Sequence, residues 1–394
     1  MNTFATIWKR YGKFEYLLLF LMSIELFGMH HFVLLFLFLC LCFKERIGSQ
    51  FYVFDFGILL LWGVMYWLFI DGSHLWSNLQ VPSWLAAFLV GSTLCKDKRS
   101  FFDVLLIIAL GYAVEGLLTV TLSEGMNAMI AWDNDVASVD RKVDSFWGNG
   151  ITRSFSALNV SYYLYSGLLV YILFRKEEPF WNKSLALLFG LSFILVSLRI
   201  AMRSSLLFNP LIFAISYLGL LSKKTGRGGR TSAFFPICLV FVLLYFSGLF
   251  EKLTDSYLFY RIDTQEDGGF AHNSRFALQA SFWTVWDQYP WGDLHDHVGH
   301  YFHNTWMDIY AFSGIISAAL FLILTIRFLF NAFYIFKRTD GFERSLILGI
   351  LAAFYLPFYM DPMFQAAPAF MAFYVLVFGM LSKRRYMISH TIER

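Results

Sequence analysis

FEYLLLFLMSIELFGMHHFVLLFLFLCLCF, residues 14–43, is thirty residues of almost unbroken apolar sequence. About 20 such residues carry a helix once across a bilayer. This stretch is therefore too long for one comfortable crossing and short for two. Gly28-Met29-His30-His31 interrupts it. A tight helical hairpin broken there gives the chain twelve spans, whereas a single crossing gives eleven and reverses the N-terminus relative to everything after it.

Charge separates the two counts. The remaining apolar runs centre on Leu61, Phe88, Leu110, Leu168, Leu191, Ile212, Leu243, Phe321, Ala352 and Tyr374, with Phe20 and Leu37 marking the two arms of the hairpin. Twelve spans with an inward N-terminus leave Arg141, Lys142, Arg153, Arg199, Arg203, Lys252, Arg261 and Arg275 outside. All the rest of the 31 Lys and Arg then fall inside. Inward loops of membrane proteins carry the excess of Lys and Arg. The expected fold is an all-α integral membrane protein, residues 1–394 forming one polytopic domain of about twelve transmembrane helices with both termini cytoplasmic. Two long outer loops follow, at 123–157 and at 251–303, the second between the ninth and tenth helices.

Composition agrees. Of the 394 residues 58% are hydrophobic and 15% charged, against about 25% charged in soluble domains. A net charge of +3, spread over many short loops, argues against nucleic acid as a partner. Cys40, Cys42, Cys95 and Cys238 lie in or beside apolar runs, so no disulfide framework or zinc pair is legible. The first apolar run continues too far for a cleavable signal peptide. The basic inward segment SKKTGRGGR (222–230) has no Lys-Ser or Lys-Thr after its glycines. It therefore reads as solvated positive anchors rather than a phosphate-cradling loop. With no nucleotide site in view, chemistry here has to be driven by the substrate.

Polar groups concentrate at 275–314, RFALQASFWTVWDQYPWGDLHDHVGHYFHNTWMDIYAFSG. A greasy chain that gathers titratable side chains in one place has a site there by default. A helix starting near Asn273 or Ser274 puts Arg275 in its first turn; the plainer alternative pairs Arg275 with Asp263 or Glu266. His303 precedes Asn304 and the next apolar helix, where an imidazole can exchange a proton near neutral pH. HDHVGHYFH (295–303) contains histidines at spacings that zinc uses, but Gly299 stands where a metallo-hydrolase HxHxDH motif has Asp. A solvated histidine-rich loop with one working member is preferred, with no metal. Arg199 and Arg203, four apart at an outer helix end, share a helix face. Arginine at membrane depth normally faces a cavity, partner or ligand, and its planar fork binds phosphate bidentately. Trp283, Trp286, Trp291 and Trp306 suit sugar faces and an interfacial belt equally.

Three places carry a resemblance. Arg203-Ser204-Ser205-Leu206-Leu207 is an arginine at an outer helix end followed by small residues. Arg275 and then Pro290-Trp291-Gly292 are an arginine opening the helical part of the loop and a Pro-x-Gly turn. His303-Asn304, with Gly314 about ten residues on, opens the helix after the loop. In order, spacing and sidedness these resemble the O-antigen ligases and O-antigen polymerases, membrane glycosyltransferases of bacterial surface polysaccharide assembly. The match covers mainly 198–315. Met202 stands where that family has Ser or Thr before the arginine, so Arg199 and Arg203 are both carried as phosphate contacts.

The resemblance implies a cofactor-free, metal-independent transfer at the periplasmic face of the bacterial inner membrane. The donor is a glycan on undecaprenyl pyrophosphate. Arg203, Arg275 and Arg199 would hold the diphosphate, and His303 would act as base. The acceptor would be a second lipid-linked repeat unit in a polymerase, or lipid A core in a ligase; membrane lipids surround the site, and a chain-length regulator protein is a conceivable partner. Residues 251–303 carry eight acidic against three basic residues besides histidine, a balance that serves a phosphorylated core acceptor badly and tilts the reading to polymerase. Pro210, seven residues after Arg203, resembles the ligases. The rival from another class is a flippase of lipid-linked sugars, which predicts polar groups spread through the helices and internal pseudo-symmetry.

Overall fold

The computed structural model describes residues 13–25, 28–44, 51–69, 75–122, 143–144, 152–153, 155–175, 183–184, 186–187, 189–190, 203–221, 274–360 and 368–392. Within them the chain is helical: α1 (Phe14–Ser23), α2 (His30–Lys44), α3 (Val53–Trp67), α4 (Leu75–Leu94), α5 (Lys98–Leu122), α6 (Phe155–Phe174), α7 (Arg203–Leu221), α8 (Ser274–Val285), α9 (Leu294–Val298), α10 (Thr305–Arg338), α11 (Gly341–Met360) and α12 (Pro368–Ile392). A two-residue antiparallel pair, β1 (Val143–Asp144) with β2 (Thr152–Arg153), is the only strand pairing among the described residues. Lys98–Leu118, Thr305–Arg338 and Gly341–Tyr359 are long and apolar enough to cross a membrane. Helices also cover the expected centres Phe20, Leu37, Leu61, Phe88, Leu168, Ile212 and Tyr374, while those at Leu191 and Leu243 lie outside the described residues.

The opening stretch does fold as two helices, but the break falls earlier than the sequence suggests. α1 stops at Ser23, and Glu25 (φ 47°) and Gly28 (φ 73°) turn the chain in left-handed conformations. His30 and His31 are then the first residues of α2 rather than part of the turn. The reason is packing: His31 is buried and its Nδ1 meets Ser83 Oγ of α4 at 2.7 Å, which fixes it on the helix. The loop expected at 123–157 is shorter at its end, because α6 begins at Phe155. The loop expected at 251–303 is largely structured in its second half, by α8 and α9.

Abundant phenylalanine becomes intelligible in the bundle. α10, α11 and α12 meet through Phe321, Phe328, Phe354, Phe358 and Tyr374, all fully buried, with Phe328 stacked on Tyr374 at 4.7 Å between ring centroids. Trp62 of α3 stacks on Trp84 of α4 at 5.4 Å. Elsewhere the apolar surface is turned outward: Leu17, Phe36, Leu39, Leu61, Leu218, Leu322 and Phe333 are exposed, as lipid contact requires and water would punish. Where helices touch most closely the contact residues are small. Gly167 of α6 faces Gly349 of α11, and Gly219 of α7 faces Ser345, the close-approach device of membrane helices.

These contacts also set directions. Gly219 lies against Ser345 and Ser216 Oγ lies against Gly349, so α7 and α11 run antiparallel. The start of α7 at Arg203 therefore lies toward the end of α11, where Tyr359 sits. α10 runs from Thr305 at that same end to Arg338 at the other, since α11 follows it after a short turn.

Candidate functional site

Three backbone segments are locked together at one end of α10. The first lock is Gly314. α10 is 34 residues long, roughly 50 Å at 1.5 Å per residue, against a hydrocarbon core of about 30 Å. It is not one straight rod: Gly314 has φ 76° and ψ −178°. The break leaves a short arm, 305–313, and a longer apolar arm, 315–338. Into the break fits the Pro290-Trp291-Gly292 turn. Pro290 O accepts from Ile315 N at 2.8 Å, and a Cβ at Gly314 would stand 2.5 Å from the Trp291 carbonyl carbon. Gly292, at φ 118°, is equally committed, since a side chain there would strike the ring of Phe69. The Pro-x-Gly turn and Gly314, separate features in the sequence, are two halves of one joint.

The second lock surrounds His303. Asn304 caps α10, its Oδ1 accepting from Trp306 N (3.2 Å) and Met307 N (3.4 Å). One turn on, the buried Asp308 carboxylate reaches back. Oδ1 accepts from Phe302 N at 2.7 Å and Oδ2 from Asn304 N at 3.1 Å. His303 lies between those two amides, held at φ 53°, an uncommon conformation for a residue with a side chain. Strain of this kind gathers at functional sites. Replacing Asp308 by Asn should put an NH₂ group against one of two buried amides. Leaving such a donor unsatisfied costs about 1–3 kcal/mol. The check is a lower thermal midpoint for the solubilised Asp308→Asn protein, with Asp296→Asn, exposed on the same loop, unchanged.

The third lock is Gln279. Its side chain is buried, and Nε2 donates both to His303 O and to Tyr359 O, each at 3.0 Å. One amide group thus ties α8 to the His303 turn and to the end of α11. Phe282 extends this seam, packing edge-on against Phe302 (5.1 Å) and Tyr310 (5.4 Å). Tyr310 Oη donates to Trp286 O at 2.6 Å.

α8 begins at Ser274, so Arg275 stands in its first turn, four residues and one turn before Gln279 on the same helix face. Arg203 is the first residue of α7, at the end of the bundle where Tyr359 and His303 meet. The structure thus brings the backbone of Arg203, Arg275 and His303 to one end; the side chains of the two arginines, and Arg199 altogether, lie outside the described residues. So do Asp263 and Glu266, the alternative partners for Arg275.

The other histidines serve local structure. His297 Nδ1 donates to Asp293 O (2.8 Å) and its ring stacks near Tyr289. His300 Nδ1 donates to Val298 O (2.9 Å), and His295 packs on Tyr301. Among the described residues no group of three His, Cys, Asp or Glu is placed to hold a metal ion. Burial and then the Asp308 carboxylate push the Tyr301 phenol above its ordinary range, so it stays protonated at neutral pH.

Beside the locks runs an open groove of about 490 Å³, walled by Phe282, Trp283, Trp286, Trp306, Met307 and Tyr310 and continuing along α10 past Ile315 to Leu322. Trp283 and Trp291 are more than half exposed. Gln279 escaped the sequence reading because nothing local marks it: a glutamine on an amphipathic helix is ordinary. A signal for Asp308 was available, since an acid near a helix start after Asn is the pattern of a reciprocal cap. No protein-family model matches the chain, and no curated protein matches it.

Proposed function

We propose that the protein is a membrane glycosyltransferase of surface polysaccharide assembly, working at the periplasmic face of the bacterial inner membrane. It would transfer a glycan from undecaprenyl pyrophosphate to a saccharide hydroxyl. The acceptor hydroxyl attacks the anomeric carbon of the donor; the bond from that carbon to the phosphate oxygen breaks, and the diphosphate leaves with the electron pair. His303 takes the hydroxyl proton. Arg203 and Arg275, together with Arg199, neutralise the charge that develops on the leaving group, the contribution that commonly dominates such catalysis. No metal or nucleotide is called for.

One observation carries the reading: His303, held at positive φ between two amides bound by Asp308, accepts at its carbonyl from Gln279 on the helix whose first turn bears Arg275. The aromatic groove adds to it, since an apolar trough running from α8 onto the membrane-length arm of α10 suits a polyprenyl chain entering from the bilayer. Twelve spans and cytoplasmic termini belong to this proposal, on the distribution of Lys and Arg. Within it, polymerase is preferred to ligase on the acidity of 251–303.

Purified full-length protein in nanodiscs, given a lipid-linked oligosaccharide, should release polyprenyl pyrophosphate. Arg203→Ala and Arg275→Ala should each remove that release while the protein still inserts. A transporter would move the donor without cleaving it, so intact donor after prolonged incubation with either acceptor would sink the enzyme reading. Offering a second lipid-linked unit or lipid A core as acceptor then separates polymerase from ligase.

A further inference from the structure

At the end of α10 away from His303, α3, α10 and α12 enclose a polar cluster that transfer does not use. Asp55 is fully buried. Its Oδ1 accepts from Arg327 Nε at 2.7 Å; its Oδ2 accepts from Asn331 Nδ2 and from Ser382 Oγ, both at 2.7 Å. That carboxylate thus accepts three hydrogen bonds. Arg385 donates from one terminal nitrogen to Asn331 Oδ1 at 2.8 Å. Among the described residues it makes no other hydrogen bond and has no carboxylate within ion-pair distance, although a guanidinium offers five donors. Among the described residues the cluster therefore holds two guanidinium charges and one carboxylate.

Unmatched charge beside a low-dielectric region is costly, and this one is placed where a bilayer would meet it. Both guanidiniums lie against the ring of Phe330, Arg385 at 4.4 Å and Arg327 at 5.4 Å from its centroid. Arg327 also sits over Phe54 (5.1 Å) and Arg385 over Tyr52 (4.1 Å). Phe54, Phe330 and Phe333 are half exposed, and Val53 is more so, an apolar surface continuous with the outward stripe of α10. Arg327 is thirteen residues beyond Gly314, roughly 20 Å along the helix. In a hydrocarbon core of about 30 Å, an arginine that far beyond the break is long enough to snorkel toward the headgroups of the leaflet away from His303.

We propose that Arg327 and Arg385 form a binding site for the phosphodiester headgroup of an anionic phospholipid in that leaflet. The guanidinium fork matches a phosphate, the aromatic rings orient the forks and exclude water, and the acyl chains lie along Phe54, Phe330 and Phe333. A free phosphate would gain nothing from those exposed rings. The site rests on the membrane character of the chain and is independent of the transfer chemistry, so failure of either leaves the other standing.

The test uses detergent-purified full-length protein and three probes: phosphatidylglycerol, phosphatidylcholine and inorganic phosphate. Native mass spectrometry should show phosphatidylglycerol retained about tenfold more tightly than phosphatidylcholine, a difference of one decade in affinity. The thermal midpoint should rise with phosphatidylglycerol alone, by linkage; this measurement needs no variant. Arg385→Gln should bring retention down to the phosphatidylcholine level, and Lys337→Gln, exposed on the same helix, should leave it unchanged. Equal retention of the two lipids by the wild type overturns the proposal. So does an Arg385→Gln protein that binds phosphatidylglycerol normally, or stabilisation by inorganic phosphate as large as that by the lipid.

Discussion

His303→Asn should lower turnover of a lipid-pyrophosphate-linked donor by roughly 10²–10⁴-fold, the usual contribution of a positioned general base, while the thermal midpoint stays near wild type. Asparagine is the substitution to make because the position sits at φ 53°. Asn tolerates the left-handed region better than alanine does, so Phe302 and Asn304 keep their bonds to Asp308 and the backbone is left in place. The carbonyl that accepts from Gln279 is likewise retained. What is lost is the imidazole alone. A His303→Asn protein as fast as wild type would remove the residue from the mechanism, whatever the arginines do.

Gly314→Ala is expected to do the opposite: to damage the fold at the site first and activity as a consequence. At φ 76° and ψ −178° the backbone is in a region essentially reserved for glycine, with strain of about 1–3 kcal/mol for any side chain. A Cβ would also meet the Trp291 carbonyl carbon at 2.5 Å, its oxygen at 2.7 Å and Gly292 N at 2.9 Å. These are backbone atoms, and they cannot rotate away. Relief requires the Pro290-Trp291-Gly292 turn to lift off, losing the bond from Ile315 N to Pro290 O. Gly299→Ala is the control, since it has a similar φ of 68° but a Cβ there meets nothing within 4 Å. The thermal midpoint should fall several degrees further for Gly314→Ala than for Gly299→Ala, with loss of donor turnover confined to the former. Equal effects at the two glycines would mean that the joint is not held by this contact.

The sequence by itself determined a good deal. Long apolar runs force helices, because a backbone in lipid must satisfy its own hydrogen bonds, and that information is local: ten of the expected centres, from Phe20 to Tyr374, fall on helices among the described residues. The clustering of polar groups at 275–314, the start of α8 beside Arg275 and the opening of a helix after His303-Asn304 were legible for the same reason. Only the tertiary structure could decide what those pieces do to one another. Gln279 reaches Tyr359 across 80 residues and Arg327 reaches Asp55 across 272; no periodicity encodes either pairing. That Pro290-Trp291-Gly292 seats in the break at Gly314 depends on two backbones approaching closer than a side chain allows, and a one-letter G records the permission but not the partner.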